Sequence, residues 1–386
     1  MDEFTLKLAS WLWPIFTLCA ISGCIYALFA AALLRRFAQK SPTTLQSSPG
    51  LTILKPLCGA ESELSTNLAS FCSQDYGGSI QLVFGVHDAA DPAGAVIRRL
   101  SERFPDHDIE LVVDPSLHGS NRKVSNLVNM LNRARHDIIV VSDSDIRVER
   151  EYLPDVVSAL SAPGIGLVTC LYRGYPVGGL WSSLSAAAIN QHFLPSVLVG
   201  LKLGLARPCF GATIALRAET LNRIGGFRAF SDQLADDYAM GEAVRGLGLR
   251  VAIPRLLLSH ICSEQSFGEL LSHELRWART LRLLDPWGYV GLVLTHALPL
   301  ALAAAALQGF GAIGIGLVAL ALACRLAVSI QVESMRDGSG RRVSPWLSPL
   351  RDLLSFAIFL ASFLPGPMIW RGSRYALQSD GTLTPN

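Results

Sequence analysis

Two aspartates one residue apart, Asp143 and Asp145, follow the β-branched run Ile138-Ile139-Val140-Val141 in the stretch HDIIVVSDSDIRV. Carboxylates at that spacing can approach one divalent cation from a turn, and Mg²⁺ held by one or two carboxylates characteristically completes its shell with substrate phosphates. A second pair, Asp236-Asp237, stands in ADDYAMGEAVRG at the predicted start of a helix over 237–247. A carboxylate there can serve as general base toward a hydroxyl, or simply complement the helix dipole. Glu61, Asp88 and Asp91 add three more acids in predicted loops. Among the bases, Lys123 or Arg122 could meet a diphosphate or remain solvated surface charge. His273, Arg276 and Trp277 in SFGELLSHELRWARTLR fall at i, i+3 and i+4 and so share one helix face. A basic residue beside a Trp just before an apolar segment also suits an interfacial anchor.

The elements that must position these residues are legible between about residues 50 and 285. LTILKPL (51–57), IQLVFGV (80–86), IELVV (109–113) and DIIVV (137–141) read as strands. SELSTNLASFCSQ, AGAVIRRLSERF and a stretch around 124–134 read as helices between them. This alternation implies a mostly parallel sheet with helices on both faces, and in such sheets ligands sit beyond the carboxyl ends of the strands. Glu61, Asp88, Asp91, Asp143 and Asp145 all fall just past a predicted strand end, so they converge on one rim. Any one of them could be a cap or turn former. The set together repels itself unless a cation or a ligand's donors compensate. The soluble part lacks GxxxxGK[ST], and the one GxGxxG match, GFGAIG at 309–314, joins two apolar segments and follows no strand. A nucleotide bound here therefore needs its phosphate charge met by a metal and by basic side chains.

Composition sets the context. The chain of 386 residues is 50% hydrophobic with a mean hydropathy of +0.36, and its 17% charged residues fall below the roughly 25% of soluble domains. A net charge of +2 argues against wholesale nucleic-acid binding. The apolar excess sits at the ends. Residues 8–34 form an uncharged run long enough for ~30 Å of hydrocarbon and too long for a signal-peptide core. Arg35, Arg36 and Lys40 follow it and only Lys7 precedes it, which places the next domain in the cytoplasm. Residues 286–372 read as two spans plus a third stretch, 353–370, that crosses, re-enters or lies in the interface, followed by a tail over 373–386. The loop with Arg336, Arg341 and Arg342 reads as cytoplasmic, and a cytoplasmic Arg371 and Arg374 would prevent 353–370 from crossing fully. The remainder, 45–285, is expected to be the cytoplasmic catalytic domain. Within it, 180–208 is unusually apolar, and either dips into the interface or buries against the sheet. The eight Cys and eight His residues show no CxxC pairing or metal-ligand spacing.

In order and spacing, LKPLCGAESEL, LVFGVHDAADPA, NRKVSNLVNM, VSDSDIRV, ADDY, HELRW and the C-terminal IWRGSRYALQSDGT resemble the membrane-bound ceramide glucosyltransferase family. That likeness spans nearly the whole chain. It implies an α/β GT-A fold (a nucleotide-diphospho-sugar transferase) and an inverting, UDP-sugar-dependent hexosyltransferase acting on a membrane lipid, with no nucleic-acid partner. The stretch GSNRKVSNLVNM reads most like the bacterial subgroup of hopanoid biosynthesis, which transfers N-acetylglucosamine to bacteriohopanetetrol. This subgroup implies an integral protein of the bacterial inner membrane with its catalytic domain on the cytoplasmic face. The resemblance also implies roles. Asp91, with Asp88 the near alternative, and Glu61 contact the donor's uridine, and Asp143 the sugar nucleotide near its metal. Asp237 is the base, beside Asp236, and Arg276 with Trp277 bind donor. Asp145 stands where the animal enzymes have Gly, so the fuller DxD makes Asp145 with Asp143 the expected ligands of Mg²⁺ or Mn²⁺. His273 replaces the family's Gln or Arg, which leaves its role open.

Two other classes compete. A processive polysaccharide synthase shares the aspartates and the RW pair but needs more spans to line a channel. A non-enzymatic lipid carrier would rely on intramembrane polar groups, among which Arg325 and His296 stand out.

Overall fold

The computed structural model describes residues 3–39, 45, 47–335, 342–365, 368–370, 373–377 and 383–385. Lys40, Arg336, Arg341 and Arg371 lie outside them. The chain folds as two compact units. The sheet unit comprises Lys40–Arg173, Pro208–Ile261 and Pro367–Asn386, and the helical unit comprises Met1–Gln39, Gly174–Arg207 and Cys262–Gly366.

Ten strands organise the sheet unit and its ends: β1 (Leu51–Pro56), β2 (Ile80–Val86), β3 (Asp108–Val113), β4 (Ile138–Val141), β5 (Ile146–Arg147), β6 (Ile165–Thr169), β7 (Leu171–Pro176), β8 (Ile214–Arg217), β9 (Arg250–Ala252) and β10 (Leu257–Cys262). Seven of them form one sheet in the order β3-β2-β1-β4-β8-β6-β9. The pairs β1/β2, β1/β4, β2/β3 and β6/β9 are parallel, and β8 runs antiparallel to both its neighbours. Strands covered on both faces read as continuous apolar runs, and β1 and β4 are buried at every position. The smaller sheet is ordered β5-β10-β7, with β5 antiparallel to β10. Near the C-terminus β11 (Met368–Trp370), β12 (Ser373–Leu377) and β13 (Leu383–Pro385) form an antiparallel ribbon.

The order of the large sheet fixes where a ligand can sit. From β1 the chain adds β2 and β3 on one side and β4 on the other, so β1/β4 is a topological switch point. In open α/β sheets ligands bind at such a point, beyond the carboxyl ends of the strands. The helix expected around 124–134 is Arg122–Leu131, entered earlier because the Asn121 side chain caps it by accepting from the Val124 amide at 3.1 Å.

The helical unit holds three helices long and apolar enough to cross a membrane, Ser10–Ala38, Leu180–Leu203 and Ala312–Ser334, among the described residues. The first expected C-terminal span is broken: Pro286–Thr295 and Ala297–Leu307 meet at 63°. His296 leaves helical geometry at the break, and Pro299, which cannot donate, is tolerated in the first turn beyond it. Over 353–370 the helix is Ser348–Ala361, only 14 residues. At about 1.5 Å per residue it falls short of ~30 Å of hydrocarbon.

The division also interrupts the domain expected over 45–285, since 174–207 and 262–285 belong to the helical unit. The apolar 180–208 segment is a run of helix, π-turn and helix. Of the two expectations for it, interface or sheet burial, the second is not what is seen, since it pairs with other apolar helices: Tyr26 and Ser196 hydroxyls lie 2.9 Å apart, and Gln191 donates to Ser329 Oγ at 3.0 Å. A helix with almost no charge finds its cover among other apolar helices.

Candidate active site

The switch point is built from the ends of β1 and β4. Lys55, next to last in β1, is fully buried. Its Nζ donates to the Asp143 carbonyl at 2.8 Å and to Ser142 Oγ at 3.3 Å, and lies 3.7 Å from the centre of the Phe71 ring. Burial lowers its pKa to about 7 against the opposing pull of Asp143, Asp145 and Glu61. Lys55 thus ties the backbone of the DxD turn to the central strand. Sequence reasoning passed over it, although a lone lysine inside LTILKPL was the available signal.

Lys123 comes from the first turn of Arg122–Leu131. Its Nζ lies 2.7 Å from Asp143 Oδ1 and 3.8 Å from Asp236 Oδ2. Asp236 begins the helix Asp236–Gly246, and its Oδ1 accepts from Asn121 Nδ2 at 3.2 Å. The next residue, Asp237, accepts from the Gly211 amide at 2.8 Å through Oδ2 and from the Tyr238 amide at 2.8 Å through Oδ1. The N-cap of this helix is Ala235. The Asp237 carboxylate is therefore aimed in part by a tertiary hydrogen bond, which capping alone does not require.

Gly211 packs into the middle of this group. A Cβ there would lie 2.8 Å from Lys123 Nζ, 2.9 Å from Asp143 Oδ2 and 3.6 Å from Asp237 Oδ2. A side chain there would force Lys123 or Asp143 to shift, while its distance to Asp237 is ordinary contact.

The charge balance is uneven, with one lysine among three carboxylates. Burial would lower the Lys123 pKa, but Asp143, Asp236 and Asp237 reverse that and raise it. Asp236 is raised to about 6 by burial, with Lys123 opposing and Asp237 and Asp143 reinforcing. Burial also raises Asp237, against Lys123 and the Tyr238 and Gly211 amides.

The neighbouring loops bring the other predicted acids. Ser144 Oγ donates to Glu61 Oε2 at 2.6 Å. Asp145 Oδ2 lies 3.3 Å from Nε2 of His260, whose ring stacks on Tyr172 at 5.4 Å. The other oxygen, Asp145 Oδ1, is buried with no hydrogen-bond partner. Among the described residues, no three His, Cys, Asp or Glu side chains converge as a self-sufficient metal site. Two carboxylates suffice when substrate phosphates supply the rest, and the unpartnered Asp145 oxygen beside Asp143 fits such a cation. Asp91 is engaged differently: both its oxygens accept from the Gly59 amide at 3.0 Å, and Oδ1 from Ala93 at 2.8 Å. It joins the loop after β1, which carries Glu61, to the loop after β2. Asp88 is exposed and accepts from the Ala90 amide at 2.9 Å in a local turn.

His273, Arg276 and Trp277 lie in the helical unit on the helix Phe267–Leu284. His273 Nδ1 is 2.8 Å from Glu264 Oε1, and its ring meets Trp277 edge-on at 4.5 Å. Burial would raise the Glu264 pKa, and the hydrogen bond and charge of His273 overcome it and lower it.

A mostly parallel sheet with acids and lysines at its switch point, joined to apolar helices, defines a GT-A-like nucleotide-sugar transferase. The chain belongs to glycosyl transferase family 21, whose family profile matches residues 15–383. Ceramide glucosyltransferase 1 of Caenorhabditis elegans is 23% identical over 393 residues, covering 95% of this chain and 82% of that protein. Ceramide glucosyltransferase 3 of the same organism is 25% identical over 360 residues, covering 88% and 75%. Among solved structures, the fold is similar to that of the mannosyltransferase PcManGT from Pyrobaculum calidifontis in complex with GDP-Man and Mn²⁺. The TM-score is 0.50 at 19% identity, covering 90% of this chain and 97% of that one. The protein is a glycosyltransferase.

Proposed function

We propose that the protein is an inverting transferase that moves one sugar from a UDP-sugar to the hydroxyl of a membrane lipid, namely N-acetylglucosamine from UDP-GlcNAc to a hopanoid polyol. The cluster of Lys123, Asp143, Asp236 and Asp237 at the β1/β4 switch point carries this reading. Support for the acceptor comes from GSNRKVSNLVNM and its likeness to the hopanoid subgroup. Asp237 removes the proton of the lipid hydroxyl as its oxygen attacks the anomeric carbon. The bond from that carbon to UDP breaks, and an α-linked donor yields a β-glycoside. General base catalysis of this kind is worth about 10²–10⁴-fold.

Asp143 and Asp145 would hold Mg²⁺ or Mn²⁺, which when bound neutralises charge on the leaving diphosphate. Lys123 brings positive charge to the same place, and Asp236 with Asn121 keeps that lysine and its helix in register. Asp91, with Asp88 the near alternative, and Glu61 contact the uridine, and the bond from the Gly59 amide to Asp91 also orders the loop carrying Glu61. The family motif adds Arg276 and Trp277 as donor-binding residues. We read the protein as integral to the bacterial inner membrane, which its long apolar helices support, and Arg35 and Arg36 in the last turn of the first of them favour a cytoplasmic sheet unit.

A second reading, glucose from UDP-glucose to ceramide, is favoured by the two C. elegans relatives, both ceramide glucosyltransferases. Purified protein given UDP-GlcNAc and UDP-glucose, each with a hopanoid tetrol or a ceramide, separates the two by mass spectrometry of the lipid. A single N-acetylhexosamine on the tetrol supports the first reading, and a single hexose on ceramide replaces it by the second. Addition of many sugars points to a processive synthase, and the absence of transfer in all four mixtures contradicts lipid glycosylation by these donors.

A further inference from the structure

Arg351, on the C-terminal helix Ser348–Ala361, is a fully buried arginine to which the sequence assigns no role. Its guanidinium grips Glu274 with two parallel hydrogen bonds, Nη1 to Oε1 and Nη2 to Oε2, both at 2.7 Å. This fork-to-carboxylate geometry is the most directional ion pair available to side chains. Nη1 also donates to the Leu184 carbonyl at 3.2 Å, and Nε to Ser355 Oγ at 2.9 Å. One side chain thus joins three helices: its own, Leu180–Ala188 and Phe267–Leu284. The same helix is held a second time, because Glu264 Oε1 accepts from Ser185 Oγ at 2.9 Å and pairs with His273 at 2.8 Å.

Glu274 lies within the HELRW motif, two residues before Arg276. Two residues turn an α-helix through about 200°, so Glu274 and Arg276 occupy nearly opposite sides. A grip on Glu274 fixes the roll and height of the helix from the side opposite Arg276. A buried ion pair is weak evidence of stabilisation, since desolvation offsets most of its attraction. Holding one register is the better-attested use of such a pair.

We propose that Arg351 is a positioning residue for donor binding: its bidentate pair with Glu274 sets the orientation of the helix that presents Arg276 and Trp277. The C-terminal helix then has a task beyond membrane attachment. The proposal rests on Arg276 binding the donor, as put forward above. It also gives His273 a role, as the second anchor of the same helix through Glu264 and Ser185.

The experiment compares Arg351→Gln, Glu274→Gln and the exchanged pair Arg351→Glu/Glu274→Arg with Arg276→Ala, all in full-length protein in detergent. Its readouts are Kd for UDP, donor KM, acceptor KM and melting temperature. Arg276→Ala should weaken UDP binding. Arg351→Gln and Glu274→Gln should raise Kd for UDP and donor KM by about ten- to a hundredfold, with acceptor KM unchanged, and the exchanged pair should recover most of that loss. Glu274→Gln keeps the side chain's size, so it remains informative if Arg351→Gln fails to fold. A lower melting temperature with unchanged UDP affinity in folded Arg351→Gln and Glu274→Gln would overturn the inference while leaving the Arg276 assignment standing. Unchanged UDP affinity in Arg276→Ala would remove that assignment, and the inference with it.

Discussion

In the helical unit, Arg325 and Asp352 are 2% and 0% exposed and pair at 2.8 Å. Arg325 further donates to the Gln191 carbonyl at 2.9 Å, and His192 Nε2 lies 2.9 Å from Asp352. In the sheet unit, Lys123 instead faces Asp143, Asp236 and Asp237 together. The first cluster matches one positive group with one negative group among apolar helices, so its charges cancel without help. The second leaves an excess of negative charge at a sheet's switch point; each cluster keeps a buried carboxylate oxygen without a hydrogen-bond partner, Asp352 Oδ2 in the first and Asp236 Oδ2 in the second, so the net charge is what differs. Charge balance distinguishes the two: one cluster is matched within itself, and the other carries more acid than base. Arg325, which from sequence alone could have marked a lipid carrier's pathway, is taken up by packing.

The largest expected effect concerns that excess. Exhaustive EDTA treatment should reduce transfer to background, and Mg²⁺ or Mn²⁺ should restore it. Undiminished turnover after chelation would mean that Lys123 alone offsets the acids, and the contrast between the clusters would narrow. Next in size, Arg325→Leu should destabilise the protein by about 3–5 kcal/mol because it strands Asp352. The double variant Arg325→Leu/Asp352→Leu should recover most of this in denaturation followed in detergent. Loss of turnover at normal stability would instead move Arg325 into the functional class.

Smaller again, Gly211→Ala should lower kcat/KM by about tenfold or more by displacing Lys123 and Asp143. Near-normal kinetics would show that the cluster tolerates the crowding. The mildest effect is one of pH. Asp236 is raised from 3.8 to about 6 in the folded protein, so the native state binds its proton more tightly than the unfolded chain does. Its contribution to stability therefore grows as pH falls through about 6 toward 3.8. Activity should instead fall as the pH is lowered, because Asp237, also raised above the ordinary carboxylate range by burial, is needed as a carboxylate. Asp236→Asn should remove its share of the stability trend, and a parallel fall of stability and activity in the parent would contradict this assignment.

The parts of the site legible in the sequence are those carried by local pattern. Strand–helix alternation put Glu61, Asp88, Asp91, Asp143 and Asp145 past strand ends, and β1, β2 and β4 lie where that pattern set them. What the alternation could not give was pairing across long separations. Lys55 resembles an ordinary strand lysine until β4 lies beside it, and Gly211 is unremarkable until Lys123 and Asp143 close around it. His260 reaches Asp145 through the pairing of β10 with β5. Hydropathy separates apolar from polar segments but does not say which apolar segments associate, so the grouping of 174–207 with the apolar helices is not legible in it. The Arg351–Glu274 pair joins residues 77 positions apart, and no periodicity reports such a contact.

The central claim, that the acid cluster at the β1/β4 switch point performs glycosyl transfer, is tested most directly by Asp237→Asn. The measurement is single-turnover transfer from radiolabelled UDP-sugar to lipid, alongside Kd for UDP and melting temperature. The account predicts UDP affinity within a few-fold of the parent and a loss in rate of about 10² or more. Near-normal transfer with a stability loss of about 1 kcal/mol, as expected of a helix-terminal aspartate, would contradict it.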